Sequence, residues 1–129
     1  MDRSRYSSGT PWEREAGYAR AVRVGNLVYV AGTTASDEHG RLVGGPDAYA
    51  QAAFILRKIA HALEQVGGSL ADVVRTRMYV ARLEDWEAVA RAHREAFPAG
   101  TEPAATLVQV AGLVAGRLVE IEADAVIPR

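Results

Sequence analysis

The chain has 129 residues, 24% of them charged, a formal net charge of -1 and no cysteine. That length suits one ordinary domain, 1–129, whose core is large enough to need neither disulfides nor a structural metal. The near-neutral charge leaves no field to recruit nucleic acid or an anionic membrane, and the lack of cysteine removes disulfide frameworks, thiolate catalysis and cysteine-ligated zinc.

In chain order, the start MDRSRYSSGTPWERE is polar and lacks the apolar stretch of an export signal. No later run reaches the ~18 apolar residues of a spanning helix, so a soluble, cytoplasmic protein is expected. Residues 1–16 carry turn formers without a sustained period and read as an arm lying on the rest, anchored by Trp12. From Tyr18, YARAVRV alternates, Gly25-Asn26 turns the chain and LVYVAG follows, which predicts a hairpin with Tyr18, Arg20 and Val22 on one face. The polar segment 33–45 breaks at Asp37-Glu38-His39-Gly40, with a short strand expected at Arg41-Leu42-Val43.

Pro46-Asp47 opens a helix in which Ala52, Phe54, Ile55, Ile59, Leu63 and Val66 recur at helical spacing before Gly67-Gly68 ends it. VVRTRMYVA then predicts a strand with Val74, Thr76, Met78 and Val80 on one face and Arg75, Arg77 and Tyr79 on the other. A second helix over 84–97 carries Leu83, Trp86, Val89, Ala90, His93 and Phe97 at spacings of three and four, stopped by Pro98. The last quarter holds two alternating runs, 106–110 and 118–125, around a glycine-bearing turn, the pattern of an antiparallel hairpin. Together these elements predict an α+β fold, a mixed β-sheet with two helices on one face.

With the helices on one face, the other carries Val22 among Arg20, Arg75, Arg77, Tyr79, Glu120, Glu122 and Asp124. This chain has no second layer for it, so it is either solvated or closed by another copy, and subunit association is the sharper reading. Glu122 and Asp124 read as charges balanced by Arg75 and Arg77. Glu120 stands beside bulky Leu118, a partly enclosed place where a carboxylate can orient or deprotonate a water.

P-loop, dinucleotide, serine-hydrolase and zincin motifs are absent. His61 and Glu64 share a helix face but do not make a metal site on their own, and His93 on the apolar stripe reads as a satisfied core or interface histidine. No metal is expected.

The run Pro103-Ala104-Ala105-Thr106-Leu107-Val108-Gln109-Val110, followed by Val119-Glu120-Ile121-Glu122-Ala123, resembles the signature of the Rid (YjgF, reactive intermediate deaminase) family. GYARAVRVGNLVYVAGTTA is similar to the family's first hairpin and LADVVRTRMYVARLEDW to its middle strand, so the likeness spans nearly the whole chain. It implies a chorismate-mutase-like fold assembled as a homotrimer, with small-metabolite clefts between subunits. It also implies, for the deaminase branch, hydrolysis of reactive enamines and imines such as 2-iminopropanoate without a cofactor.

Carried over residue by residue, the resemblance puts the pocket tyrosine at Tyr18, the small turn at Ala31-Gly32-Thr33 and the water-positioning carboxylate at Glu120. Backbone amides near Ala105, Thr106 and Leu107 would hold substrate oxygens. Two departures stand out. Ala105 occupies the place of the arginine that clamps the substrate carboxylate, and Ala90 and His93 replace an asparagine and a tyrosine. A charge-assisted bidentate pair is worth on the order of 2 to 4 kcal/mol, so little activity on 2-iminopropanoate is expected. Arg20 either substitutes as a cation in the cleft or forms an ion pair with Glu120 or Glu122.

The expected function is therefore a trimer that binds a small metabolite and hydrolyses an imine or enamine other than the usual one. The alternative is a non-catalytic binding or regulatory trimer. Ribonuclease or translation inhibition has less support, because the chain lacks a basic stripe.

Overall fold

The computed structural model describes residues 2–128; Met1 and Arg129, the ends of the expected domain, lie outside the described residues. The elements are β1 (Arg3–Tyr6), α1 (Pro11–Ala16), β2 (Ala21–Val24), β3 (Leu27–Thr34), α2 (Ala48–Gln65), β4 (Val73–Val80), α3 (Trp86–Ala96), β5 (Ala104–Gln109) and β6 (Val119–Val126). The six strands form one sheet in the order β1-β2-β3-β6-β4-β5. Every pairing is antiparallel except β4 with β5, so the sheet is mixed.

Local chemistry fixes the ends of α2. The Asp47 side chain accepts hydrogen bonds from the amides of Tyr49 (2.9 Å) and Ala50 (3.2 Å), satisfying donors that a first helical turn leaves free. At the other end Gly67 has φ +91°, and a β-carbon there would lie 2.7 Å from Nη1 of Arg23. The glycine thus leaves room for Arg23 to donate to the Val66 carbonyl at 2.7 Å.

The inner face of α2 (Ala52, Ile55, Ile59, Leu63) is buried with Val28, Val30, Ile121 and Ala123 of the sheet. Each fully buried large aliphatic side chain stabilises the fold by about 1.5 to 3 kcal/mol. Helix α3 adds Val89 and Ala92, and the hydroxyl of Tyr49 on α2 donates to Glu95 on α3 while its ring sits 4.0 Å from the Arg91 guanidinium.

Several expectations need correction. The runs 106–110 and 118–125 are both strands, but they do not pair with each other. β4 lies between them, parallel to β5 and antiparallel to β6. The strand expected at 41–43 is a single bridge between Ser36 and Leu42. The arm contributes an edge strand and the short helix α1, giving three helices rather than two. Val74 is 49% exposed, because a register shift between Val73 and Arg75 turns Val73 inward instead. Leu83 and Trp86 are half-exposed and lie off the buried stripe of α3.

Candidate functional site

The site lies where β3 runs out and β6 begins. Thr34 is opposite Glu120 in the register, and the pairing slips between Val30 and Thr33, bulging the chain at Ala31-Gly32. An ideal β-carbon on Gly32 would lie 3.0 Å from Cδ of Glu120, so the missing side chain is what admits the carboxyl. A cavity of about 440 Å³ opens here, with Glu120, Tyr18, Trp12, Val114 and Lys58 among its lining residues. That volume lies in the range of small-molecule sites, about 300 to 1,000 Å³.

Burial is the main reason the Glu120 carboxyl sits above the usual carboxylate range; the neighbouring Glu122 adds to it and Arg20 partly offsets it. A carboxyl whose pKa is raised in this way is better suited to exchange a proton with a substrate, or to orient a water.

Beneath the cavity is a buried ion pair. Arg20 is 3% exposed, and its Nη2 donates to Glu13 Oε2 at 3.2 Å and to the Tyr18 hydroxyl at 3.4 Å. Its Nη1 donates to the Gly32 carbonyl at 2.6 Å and to Thr33 Oγ1 at 3.1 Å. Only Nε is buried without a partner. Glu13 accepts from the Ser7 hydroxyl at 2.8 Å, the Ser8 amide at 2.9 Å, the Thr10 hydroxyl at 2.6 Å and the Ser8 hydroxyl. Burial opposes its ionisation, but the hydrogen bonds from Ser8, Thr10 and Ser7 outweigh burial and hold its pKa down at about 2.

Arg117 braces the segments that flank the cavity. It is 6% exposed and donates to Ser36 Oγ (3.0 Å), the Ala115 carbonyl (3.1 Å) and the Gly40 carbonyl (2.8 Å). This tethers the 36–40 loop to the turn containing Ala115, a non-glycine residue held at φ 56° beside the cavity-lining Val114.

Of the residues singled out from the sequence, Tyr18, Arg20, Gly32 and Glu120 meet at this cavity. Thr33 is fully buried and acts through its bond to Arg20. Ala105, Thr106 and Leu107 do not line it: they lie on edge strand β5, two strand spacings, about 10 Å, beyond β6. Arg20 is neither an unpaired cation nor a partner of Glu120 or Glu122, since its carboxylate is Glu13.

Glu122 and Asp124 do share Arg77, at 3.5 and 3.2 Å, and Tyr79 donates to Glu122 at 3.0 Å. His93 is satisfied by Thr76 at 2.8 Å and packs on Phe97, and burial lowers its pKa. Sequence reasoning misses Glu13, Lys58 and Arg117. Glu13 has a signal, the capping-box pattern Thr10-Pro11-Trp12-Glu13, whereas nothing local marks Lys58 or Arg117. Among the described residues no cluster could hold a metal ion, and no helix is long and apolar enough to cross a membrane.

The fold and site define a small α+β protein with a carboxyl-bearing, ligand-sized cavity at the end of its sheet. The profile of the family described as Endoribonuclease L-PSP matches residues 10–127. The mycobacterial protein Rv2704 (Mycobacterium tuberculosis), a member of the YjgF/YER057c/UK114 family, superposes with a TM-score of 0.88 at 47% identity, over 98% of this chain and all of its own. The 3-aminoacrylate deaminase RutC of Acinetobacter baylyi is 36% identical over 106 residues, 82% of this chain and 83% of that protein. An uncharacterized protein of Streptomyces coelicolor, SCO2049, is 40% identical over 122 residues, covering 94% and 90%. The chain belongs to the Rid (YjgF) family.

Proposed function

We propose that this protein hydrolyses a small imine or enamine to a carbonyl compound and ammonia. The observation that carries the reading is Glu120, a carboxyl with a raised pKa seated against Gly32 in a cavity shared with the Tyr18 hydroxyl. In the reaction Glu120 positions a water and takes its proton as oxygen bonds to the imine carbon. Glu120 returns that proton to nitrogen, giving a carbinolamine. The carbinolamine's hydroxyl proton then passes to nitrogen as the carbon–nitrogen bond breaks, so a C=O bond forms and ammonia leaves. An enamine enters the same path after tautomerising to the imine. Tyr18 hydrogen-bonds the substrate. No cofactor enters this balance. RutC, a relative named for deamination of 3-aminoacrylate, supports the reaction class.

The assembly we infer is a homotrimer. Among the described residues no helix covers the sheet face bearing Tyr29, Arg77, Tyr79, Glu122 and Asp124, and Tyr29 is half-exposed on it. Ala104, Ala105 and Thr106 are exposed on β5, far from their own chain's cavity, so a neighbouring copy is the one that would bring these amides to it. A non-catalytic binding trimer is the second reading, favoured by Ala105, which offers no side-chain donor.

Ammonia release from a panel of imines, assayed beside Ala105→Arg, tests the proposal. The wild type should turn over some panel member but not 2-iminopropanoate, and the variant should gain 2-iminopropanoate hydrolysis. A wild type and variant both silent on every imine would leave the binding module as the reading.

A further inference from the structure

The cavity holds two cations of opposite standing. Arg20 is compensated: Glu13 pairs with it, and both its terminal nitrogens are fully engaged by Glu13, Tyr18, Gly32 and Thr33. Lys58 is not. It projects from α2, its Nζ donates to the Ser36 carbonyl at 2.8 Å, and it has no carboxylate at ion-pairing distance among the described residues. An ammonium has three donors, so two remain for another acceptor.

Burial is the main influence that lowers the Lys58 pKa, to about 8, and Arg20 adds to it; Glu13 partly offsets them, as do Asp37 and Glu38, which line a neighbouring pocket together with Lys58. The amine is still mostly protonated at pH 7. Of the acids at the cavity, Glu120 has its pKa raised chiefly by burial, and Glu15 lies on the exposed side of α1, open to water. The remaining walls include Trp12, Tyr18 and Val114, which present apolar and aromatic surface. A partly desolvated cation with free donors, facing such walls, is matched by an anion on an apolar body.

We propose that Lys58 is the anchor for the carboxylate of the ligand, and that the ligand carries an apolar or aromatic body large enough to meet Trp12 and Tyr18. This rests on the cavity being the ligand site of the proposed function.

Two product-like probes separate charge from bulk: phenylpyruvate and phenylacetone, its neutral analogue, titrated calorimetrically into wild type, Lys58→Met and Lys58→Arg. The wild type should prefer phenylpyruvate. Lys58→Met should lose at least tenfold for phenylpyruvate while phenylacetone binding stays within twofold, and Lys58→Arg should retain the preference. The inference is overturned if wild type binds neither probe or both equally, or if Lys58→Met keeps its phenylpyruvate affinity. Parallel loss of both probes in Lys58→Met would make the residue structural and overturn it too. Because binding is read without turnover, Lys58-dependent binding in a protein that hydrolyses no imine sinks only the hydrolytic reading. Hydrolysis that ignores Lys58 sinks only this one.

Discussion

The carboxyl of Glu120 occupies the space that a side chain at Gly32 would take, with an ideal Gly32 β-carbon falling 3.0 Å from Glu120 Cδ. The two strands are hydrogen-bonded neighbours and Gly32 lies in the bulge between them, so the relationship is fixed by backbone rather than by a flexible loop. Gly32→Ala should therefore push the carboxyl aside while leaving the sheet paired. We expect kcat/KM on a turned-over imine to fall at least tenfold with a melting temperature within a few degrees of wild type. Full activity in Gly32→Ala would show that the carboxyl's position against the bulge is irrelevant.

Glu13 and Arg20 form a buried pair, with side chains 2% and 3% exposed. Removing one partner strands the other's charge, which costs about 3 to 5 kcal/mol, whereas removing both costs less. Urea unfolding should show Glu13→Ala strongly destabilised and Glu13→Ala/Arg20→Met partly restored. A double variant no more stable than Glu13→Ala would argue that the pair is not coupled.

The same carboxyl sets an acid limit. Its folded pKa, about 2, lies below the ordinary glutamate value of about 4.3, so the native state favours the ionised form. The stabilisation, on the order of 3 kcal/mol, is complete above the unfolded value and lost as pH falls from about 4.3 through about 2. Stability measured across that window should drop less steeply in Glu13→Gln than in wild type; identical slopes would remove Glu13 as the cause.

Arg77 bridges Glu122 and Asp124 on the helix-free sheet face, all three about one-third exposed. Such pairs are worth about 0 to 1 kcal/mol within one chain. Arg77→Ala should thus shift unfolding little yet leave two unbalanced carboxylates on the face we assign to subunit contact. Sedimentation should show weakened self-association, and an unchanged oligomer would place the contact elsewhere.

Much of the fold is legible in the sequence where a single element carries the signal. The first hairpin and both long helices follow from local periodicity and turn residues. Pairing is not local. Alternation at 106–110 and 118–125 identifies strands but cannot say that β4, already synthesised, inserts between them. Within one chain, that insertion puts Ala105, Thr106 and Leu107 at the far edge of the sheet from Glu120. Arg20 is misread for a related reason: its partner lies in the segment that reads as a polar arm, where the Thr10-to-Glu13 capping pattern is the only local sign of it. Lys58 lies on a helix whose period describes only the face against the sheet, so its reach to Ser36 is visible only in three dimensions.

If Glu120 carries the hydrolysis, the pH–rate profile of wild type beside Glu120→Gln will show it. The wild type should show an acid limb above the ordinary carboxylate range, because burial and Glu122 raise this group. The variant should lose kcat by at least a hundredfold while still binding phenylpyruvate. A glutamine variant that turns over imine at the wild-type rate, with the same acid limb, would remove Glu120 from the chemistry.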